Sequence, residues 1–533
     1  MLVERDGDIR HVVVGDATKL ELPDIGRLRG GVGRFRALRL VHTHLRGESL
    51  TDDDLNDLAL LRLDAVAMVE VTSEGEAGKV EVAMMSPESA LPDQPPGGES
   101  ELQKASRPEP FRRWQARDIY NLKLEFDQEI AELEAEFARL AKGAAKTKKE
   151  RALLISVVNG DDHFSEMVEL IKAADVELAG DIRQRQKRFK MHPRTVVGKG
   201  KLSEIVLESM QRQADVAIFD IDLKPGQARA FEDATGLKAI DRTQLILDIF
   251  AQRAKSRDGK LQVELAQLKY SLPRLTEKDA GLSRLSGGIG GRGPGETVLE
   301  IGRRRLRDRI TALEKEVKEL SKQRDVRRRK RREEGIPVLS IVGYTNAGKS
   351  TLLNTLTNAN VEAADKLFMT LDPTTRRLRF PREGEVILSD TVGFIAELPE
   401  DLVAAFKATL EELADADLLL HVVDAADENL EGKKKAVEKL FEELGMAGIP
   451  RLLVLNKADL LPPGIAHSLE RRYGGVAISA AKRQGLRELI AAAEDLLMAS
   501  EPFLKEYSLP PQEEVTPFVA AEPEEDEGEE LVN

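Results

Sequence analysis

Gly343-Tyr344-Thr345-Asn346-Ala347-Gly348-Lys349-Ser350, followed by Thr351, sets two glycines ahead of a lysine and a hydroxyl. That is the G-x-x-x-x-G-K-[ST] spacing of a loop that wraps phosphates. Gly343 and Gly348 let the backbone turn tightly and aim its N–H groups at an anion, and the following helix adds its positive end. Lys349 is expected to reach the β- and γ-phosphates, and the Ser350 hydroxyl to ligate Mg2+. Ser389-Asp390-Thr391-Val392-Gly393 carries a D-x-x-G, in which Asp390 would hold Mg2+ through water and the Gly393 amide would contact the γ-phosphate. Asn456-Lys457-Ala458-Asp459 is an N-K-x-D. A fixed Asp459 carboxylate can accept both the ring N–H and the exocyclic amine of guanine, a donor pair that adenine lacks. GTP is therefore favoured over ATP, and Ser479-Ala480-Ala481 suits a last base-contacting loop.

Each of these tetrapeptides is weak alone. Their strength lies in order and position, because each ends an apolar run: Ser340-Ile341-Val342, Val386-Ile387-Leu388, Leu452 to Leu455, and Val476-Ala477-Ile478. Strand, loop and helix in that sequence predict an α/β fold with a P-loop nucleotide domain over 336–500.

The 533 residues are enough for three or four domains with substantial cores. There is no cysteine, so neither disulfides nor cysteine-held zinc stabilise the chain. No apolar run reaches transmembrane length and MLVERDGDIR lacks a signal-peptide core, so a cytoplasmic monomer is expected, with peripheral attachment to a membrane left open. A net charge of −14 taken alone argues against nucleic acid. The mean conceals a basic region, since Glu522 to Glu530 is an acidic tail, within a stretch expected to be disordered over 501–533, whereas 303–332 is dense in arginine.

Residues 1–90 read as a small α/β module, with strands at His11–Val14, Ala37–Val41 and Ala65–Val69 and a helix from Asp52 to Leu63. His42-Thr43-His44 ends a strand there, ahead of Thr51 and Asp54. Two histidines and an acid can bind zinc. The set resembles the H-x-H…S-x-x-D pattern of JAMM-type metalloproteases, although Leu45 replaces the usual proline and the gap to Thr51 is one residue short. A polar strand end beside an Asp-capped helix is the favoured alternative.

Pro92 to Pro110 is a linker by composition, and Phe126, Ile130, Leu133, Phe137 and Leu140 form the stripe of a packing helix within 91–149. Over 150–240 strands and helices alternate, which implies a parallel sheet; Lys199 and Lys201 in its glycine-lysine turn are better read as solvated than as anion ligands. Residues 241–335 predict one long helix through Leu245, Ile249, Phe250 and Leu261 to Leu268, then a second from Val298 through Leu320, as an antiparallel hairpin. At its tip Gly287 to Glu296 is glycine-dense, and Arg274, Arg284 and Arg292 with Gly290 and Gly291 are candidates for contact with RNA. A floppy connector is the alternative.

Asp241-Arg242-Thr243, Leu245 to Phe250, Gly259 to Leu268, Gly287 to Glu296 and the Gly343 to Ser350 loop together resemble the HflX family of translation-factor-related GTPases over roughly residues 150–500. The resemblance implies a GTPase with Mg2+ as cofactor, a large ribosomal subunit and its rRNA as partner, and a role in splitting or rescuing ribosomes under stress, stimulated by that subunit. It also implies that Phe368-Met369-Thr370-Leu371-Asp372 is switch I, with Thr370 as a second Mg2+ ligand; from sequence alone Thr374 and Thr375 compete for that place. Lys349, Thr370 and Gly393 are the expected catalytic set. Phe394 stands where a Ras-like enzyme has a glutamine to orient water, so slow intrinsic hydrolysis is expected, with Arg376 and Arg377 as candidate compensating charges. Two rival functions are a GTPase switch for a protein or membrane partner, and a GTPase-regulated zinc hydrolase.

Overall fold

The computed structural model describes residues 1–15, 22–23, 25, 35–86, 111–144, 149–158, 161–184, 191–278, 298–333, 336–357, 374–380, 385–390, 413 and 416–498. It has two compact units: Met1–Gln252 with Ala266–Ile310, and Arg253–Leu265 with Thr311–Asn533.

The first unit holds two sheets. One runs in the order β2 (Ile9–His11), β1 (Leu2–Glu4), β3 (Leu38–His44), β4 (Ala65–Val71), β5 (Ala77–Met85), β6 (Phe111–Ala116). Among the described residues its one parallel pair is β3 with β4. Parallel neighbours need a crossover, supplied by α1 (Asp52–Leu60). Thr51 caps α1 by accepting the Asp54 N–H, and the Asp54 carboxylate accepts the Thr51 N–H in return at 2.8 Å. So the helix is capped by Thr51, with Asp54 as the reciprocating third residue. The proline-rich composition suggests that this module ends near residue 90, yet β6 pairs with β5 from beyond that stretch. Helix α2 (Phe126–Ala144) then buries Ile130, Leu133 and Phe137 in the same core, with Phe137 edge-on to Phe35 at 5.5 Å.

The second sheet is wholly parallel, in the order β10 (Lys238–Ile240), β9 (Val216–Phe219), β7 (Arg151–Ser156), β8 (Glu177–Arg183). Helices α3 (Asp161–Ala173), α4 (Lys199–Arg212) and α5 (Pro225–Thr235) make its crossovers. Ala152 to Ile155 in β7 are all buried, as expected for a strand with both faces covered. Val206 and Met210 of α4 reach the core of the first sheet, and Gln211 donates to the Ser86 carbonyl at 3.2 Å. Lys199 bridges Asp53 and Asp57 of α1 at 3.2 and 3.1 Å, while Lys201 pairs with Glu204. These lysines are held by carboxylates.

The single long helix expected from Leu245 to Leu268 is two, α6 (Arg242–Arg253) and α7 (Arg257–Lys278). Ser256 breaks it, because its hydroxyl accepts the Gly259 N–H at 2.9 Å and starts a new helix. Helix α8 (Val298–Glu333) runs on through the arginine-rich stretch, and Arg257 at the start of α7 pairs with Glu316 near its middle at 3.6 Å.

The second unit carries a six-stranded sheet in the order β12 (Thr374–Arg379), β13 (Glu385–Asp390), β11 (Val338–Gly343), β14 (Leu418–Asp424), β15 (Arg451–Asn456), β16 (Val476–Ala477). All neighbours are parallel except the edge strand β12. With α9 (Lys349–Thr357), α10 (Leu430–Glu443), α11 (Ile465–Tyr473) and α12 (Leu486–Met498) it forms a P-loop GTPase fold. Among the described residues no helix is long and apolar enough to cross a membrane.

Candidate functional site

The carboxyl ends of parallel strands are where an open α/β sheet collects its ligand-binding loops. Here β11, β13, β14 and β15 end in Gly343, Asp390, Asp424 and Asn456, and in-register pairs place Ile341 beside Asp390, Gly343 beside Val422 and Asp424 beside Asn456. The sequence motifs therefore share one edge.

Both loop glycines are sterically required. A Cβ on Gly343 would stand 2.1 Å from the Val422 carbonyl oxygen, and one on Gly348, whose φ is +90°, would stand 2.2 Å from Asn456 Nδ2. Between them Asn346 adopts a left-handed φ of +60°, and the Ala347 N–H donates to the Tyr344 carbonyl at 3.3 Å. Tyr344, Thr345 and Ala347 are buried, and the Lys433 ammonium lies 5.4 Å over the Tyr344 ring. Lys349 is itself buried and donates from Nζ to the Tyr344 carbonyl at 2.7 Å. Its head is thus folded over the loop that is to hold phosphate. Ser350 and Thr351 follow in the first turn of α9.

Asn456 ties the loop to the base side. It is buried, donates from Nδ2 to the Ala347 carbonyl at 2.8 Å, and accepts the Ala480 N–H on Oδ1 at 3.0 Å. Thr355 of α9 adds a donor to the Ala480 carbonyl at 3.0 Å, and the Ala458 N–H donates to Ile478 at 3.0 Å. Ser479 is buried, with its Oγ accepting the Lys482 N–H at 3.0 Å, and Ala481 is exposed beside it. Lys457 sits at φ +63° and pairs with Asp424 at 2.7 Å, while Asp459 is left exposed. A carboxylate held on a short helical turn and facing water suits a base reader. Asp424 was missed in the sequence, although its place at the end of the apolar run Leu418–Asp424 is the same signal that marked the others.

Beneath the site, His421 on β14 is buried edge-on to Phe441 at 5.7 Å, and its Nε2 has no hydrogen-bond partner among the described residues. Burial pushes the imidazole down to about 3, helped by the positive charges of Lys434, Arg451 and Lys349.

Of the residues expected to hold Mg2+, Ser350 opens α9 and Asp390 ends β13, the strand beside β11. A hydroxyl and a carboxylate are hard oxygen donors, so the set fits that ion. Thr370, with the rest of Phe368 to Asp372, and Thr391, Val392, Gly393 and Phe394 lie outside the described residues. Thr374 and Thr375 begin the edge strand opposite Asp390 and Ser389, and Arg376 and Arg377 are exposed further along it.

The RNA-facing set changes. Arg274 pairs with the buried Asp241 and donates to the Leu223 carbonyl at 3.2 Å and the Tyr270 hydroxyl at 2.8 Å. It fastens α7 to the start of α6, a structural role that the sequence reading did not assign it, because a buried carboxylate left without its cation is costly. Arg284, Gly290, Gly291 and Arg292 lie outside the described residues.

Three family models match in order: GTP-binding GTPase N-terminal over residues 161–251, GTP-binding GTPase Middle Region over 253–331, and 50S ribosome-binding GTPase over 338–457. The chain is 51% identical to a GTPase HflX of Caldanaerobacter subterraneus over 350 residues, which are 65% of this chain and 80% of that relative. It is 46% identical to the GTPase HflX of Escherichia coli over 371 residues, 68% of this chain and 86% of the relative. A GTPase HflX of Alkalihalophilus pseudofirmus is 51% identical over 316 residues, 58% of this chain and 74% of the relative.

Proposed function

The chain belongs to the HflX family of GTPases, and from that premise we propose that it acts on ribosomes, binding the large subunit and splitting or rescuing them under stress, with hydrolysis stimulated by the subunit. The observation that carries this reading is the single loop edge at which Asn456 joins the phosphate loop to the Ser479-Ala480-Ala481 turn, with the phosphate loop and Asn456 inside the segment 338–457 that matches the 50S ribosome-binding GTPase model.

The residues act as follows. Lys349 reaches the β- and γ-phosphate oxygens, and the amides of the Gly343–Gly348 turn donate to the same phosphates. Asp459 accepts both guanine donors, while Asn456 keeps the two loops at fixed separation. When bound, Mg2+ would neutralise charge developing on the β- and γ-oxygens, held by Ser350, Thr370 and, through water, Asp390. Water attacks the γ-phosphorus in line, near the Gly393 amide. Phe394 can neither donate to nor accept from that water, so the ribosome must supply or order the missing group. The GTP state holds the segments around Thr370 and Gly393, and hydrolysis releases them.

The test is GTP turnover with and without purified large subunits, at fixed magnesium and salt. Strong stimulation that disappears when Arg292 and its neighbouring glycines are removed supports the reading. Absence of stimulation by intact, binding-competent subunits rejects it in favour of a switch for another partner.

A further inference from the structure

The first sheet brings together three side chains that nucleotide hydrolysis does not use. His42 and His44 stand two residues apart on β3 and so face the same side of the sheet. Asp54, in the first turn of α1, comes down onto that side. His42 Nε2 lies 3.0 Å from His44 Nε2 and 3.1 Å from Asp54 Oδ1, and His44 Nε2 lies 3.6 Å from Asp54 Oδ2. One ligand atom from each falls within 4.8 Å of the other two.

The proton arrangement of this cluster is frustrated. His44 Nδ1 lies 3.0 Å from the Glu48 carbonyl, which can only accept, so in the neutral ring the proton is on Nδ1 and Nε2 presents a lone pair. Asp54 Oδ2 already accepts the Thr51 N–H at 2.8 Å and its hydroxyl at 2.7 Å, which leaves Oδ1 turned to the histidines. With both rings neutral, three acceptors thus converge on a single proton, that of His42 Nε2. A cation at the centre satisfies all three.

The spacing says which cation. Bonds of about 2.0–2.1 Å in a tetrahedron set neighbouring donors about 3.3–3.4 Å apart, and the separations of 3.0 and 3.1 Å from His42 Nε2 to His44 Nε2 and to Asp54 Oδ1 lie close to that value. Two imidazole nitrogens with one carboxylate oxygen favour zinc over magnesium or calcium, which prefer oxygen throughout. The Nδ1 bond of His44 is the kind of outer contact that orients a ligating ring. The intervening loop is pinned as well, since the Leu50 N–H donates to the buried carboxylate of Glu81 at 2.9 Å. We propose that His42, His44 and Asp54 form a zinc site in the N-terminal module, with water completing the tetrahedron. The side chains keep 10%, 14% and 17% exposure, enough for solvent to reach the fourth position.

The test uses the full-length protein with excess Mg2+ and GDP, so that the nucleotide site is filled. After zinc loading and dialysis, one zinc per chain is expected. Losing an outer partner of a ligand costs about 10–100-fold, so loss of a ligand itself should lower affinity by at least about 100-fold in both His44→Ala and Asp54→Asn, with basal GTP turnover unchanged. Cobalt substituted into the unaltered protein should show the intense visible bands of tetrahedral coordination, a readout that does not depend on how the variants fold. Zinc retained equally by both folded variants, less than stoichiometric zinc in the unaltered protein, or the weak bands of octahedral cobalt would each overturn the proposal.

Discussion

Asn456→Ala separates a clamp from a base contact. Asn456 makes two buried hydrogen bonds, donating to the Ala347 carbonyl at 2.8 Å and accepting the Ala480 N–H at 3.0 Å. Truncation strands a carbonyl and an N–H, each costing about 1–3 kcal/mol, so the nucleotide-free domain should lose at least about 2 kcal/mol. For a domain of this size that lowers its melting temperature by about 4–8 °C. The loosened phosphate loop should also weaken GDP binding, by about 30-fold or more if the same 2 kcal/mol is drawn on again at binding. Asp459→Ala is the control: its side chain is exposed, so affinity should fall while the nucleotide-free melt stays put. Circular dichroism melts of the GDP-responsive transition and titration with a fluorescent guanine nucleotide give both numbers. If Asn456→Ala lost affinity but melted with the unaltered protein, the clamp would carry no energy and the reasoning would fail.

Other outcomes follow from the same geometry. Gly343→Ala must move the Val422 carbonyl, 2.1 Å from the new Cβ, and should cost more than about 3 kcal/mol and abolish nucleotide binding; a variant that binds GDP normally counts against the β11–β14 register. Asp459→Asn replaces an acceptor by a donor on one side and should shift preference from GTP towards xanthosine triphosphate in a competition assay, and unchanged selectivity would remove Asp459 as the base reader. His421 gives a pH effect: the unfolded ring takes a proton near pH 6.5, whereas burial holds the folded ring down to about 3. The unfolded state therefore binds more protons in that window, stability is full above it, and it falls as pH drops. Between pH 7 and 5 the loss should be about 2 kcal/mol, measured by urea unfolding, and His421→Leu should flatten this slope; equal slopes would show that the ring is not the cause.

The nucleotide site was legible because its demands are local. A phosphate loop needs two glycines at fixed spacing, a lysine and a hydroxyl, between a strand and a helix, and all of that lies within Ser340 to Leu356. The parallel sheet of 150–240 and the helical stripe of Phe126 to Phe137 were legible for the same reason, since periods of two and 3.6 are properties of adjacent residues. Helix continuity was less so. Hydrophobic spacing ran straight through Ser256, whose hydroxyl accepts a backbone N–H and caps a second helix.

Partnerships between distant polar groups were decided by topology. Nothing near Asn456 in the chain announces Ala347 or Ala480, 109 and 24 residues away, yet β11, β15 and β16 deliver their loops to one edge of the sheet and bury one amide between two of them. Arg274 has the composition of an RNA contact until α7 packs beside α6 and Asp241 claims it. His42, His44 and Asp54 could be named from sequence as polar residues at a strand end, but only the β3–α1–β4 crossover points them at one another. Sequence sets which groups are present and which way the local backbone turns; the tertiary fold chooses their partners, because a buried charge or donor is stable only where packing brings a complement within reach.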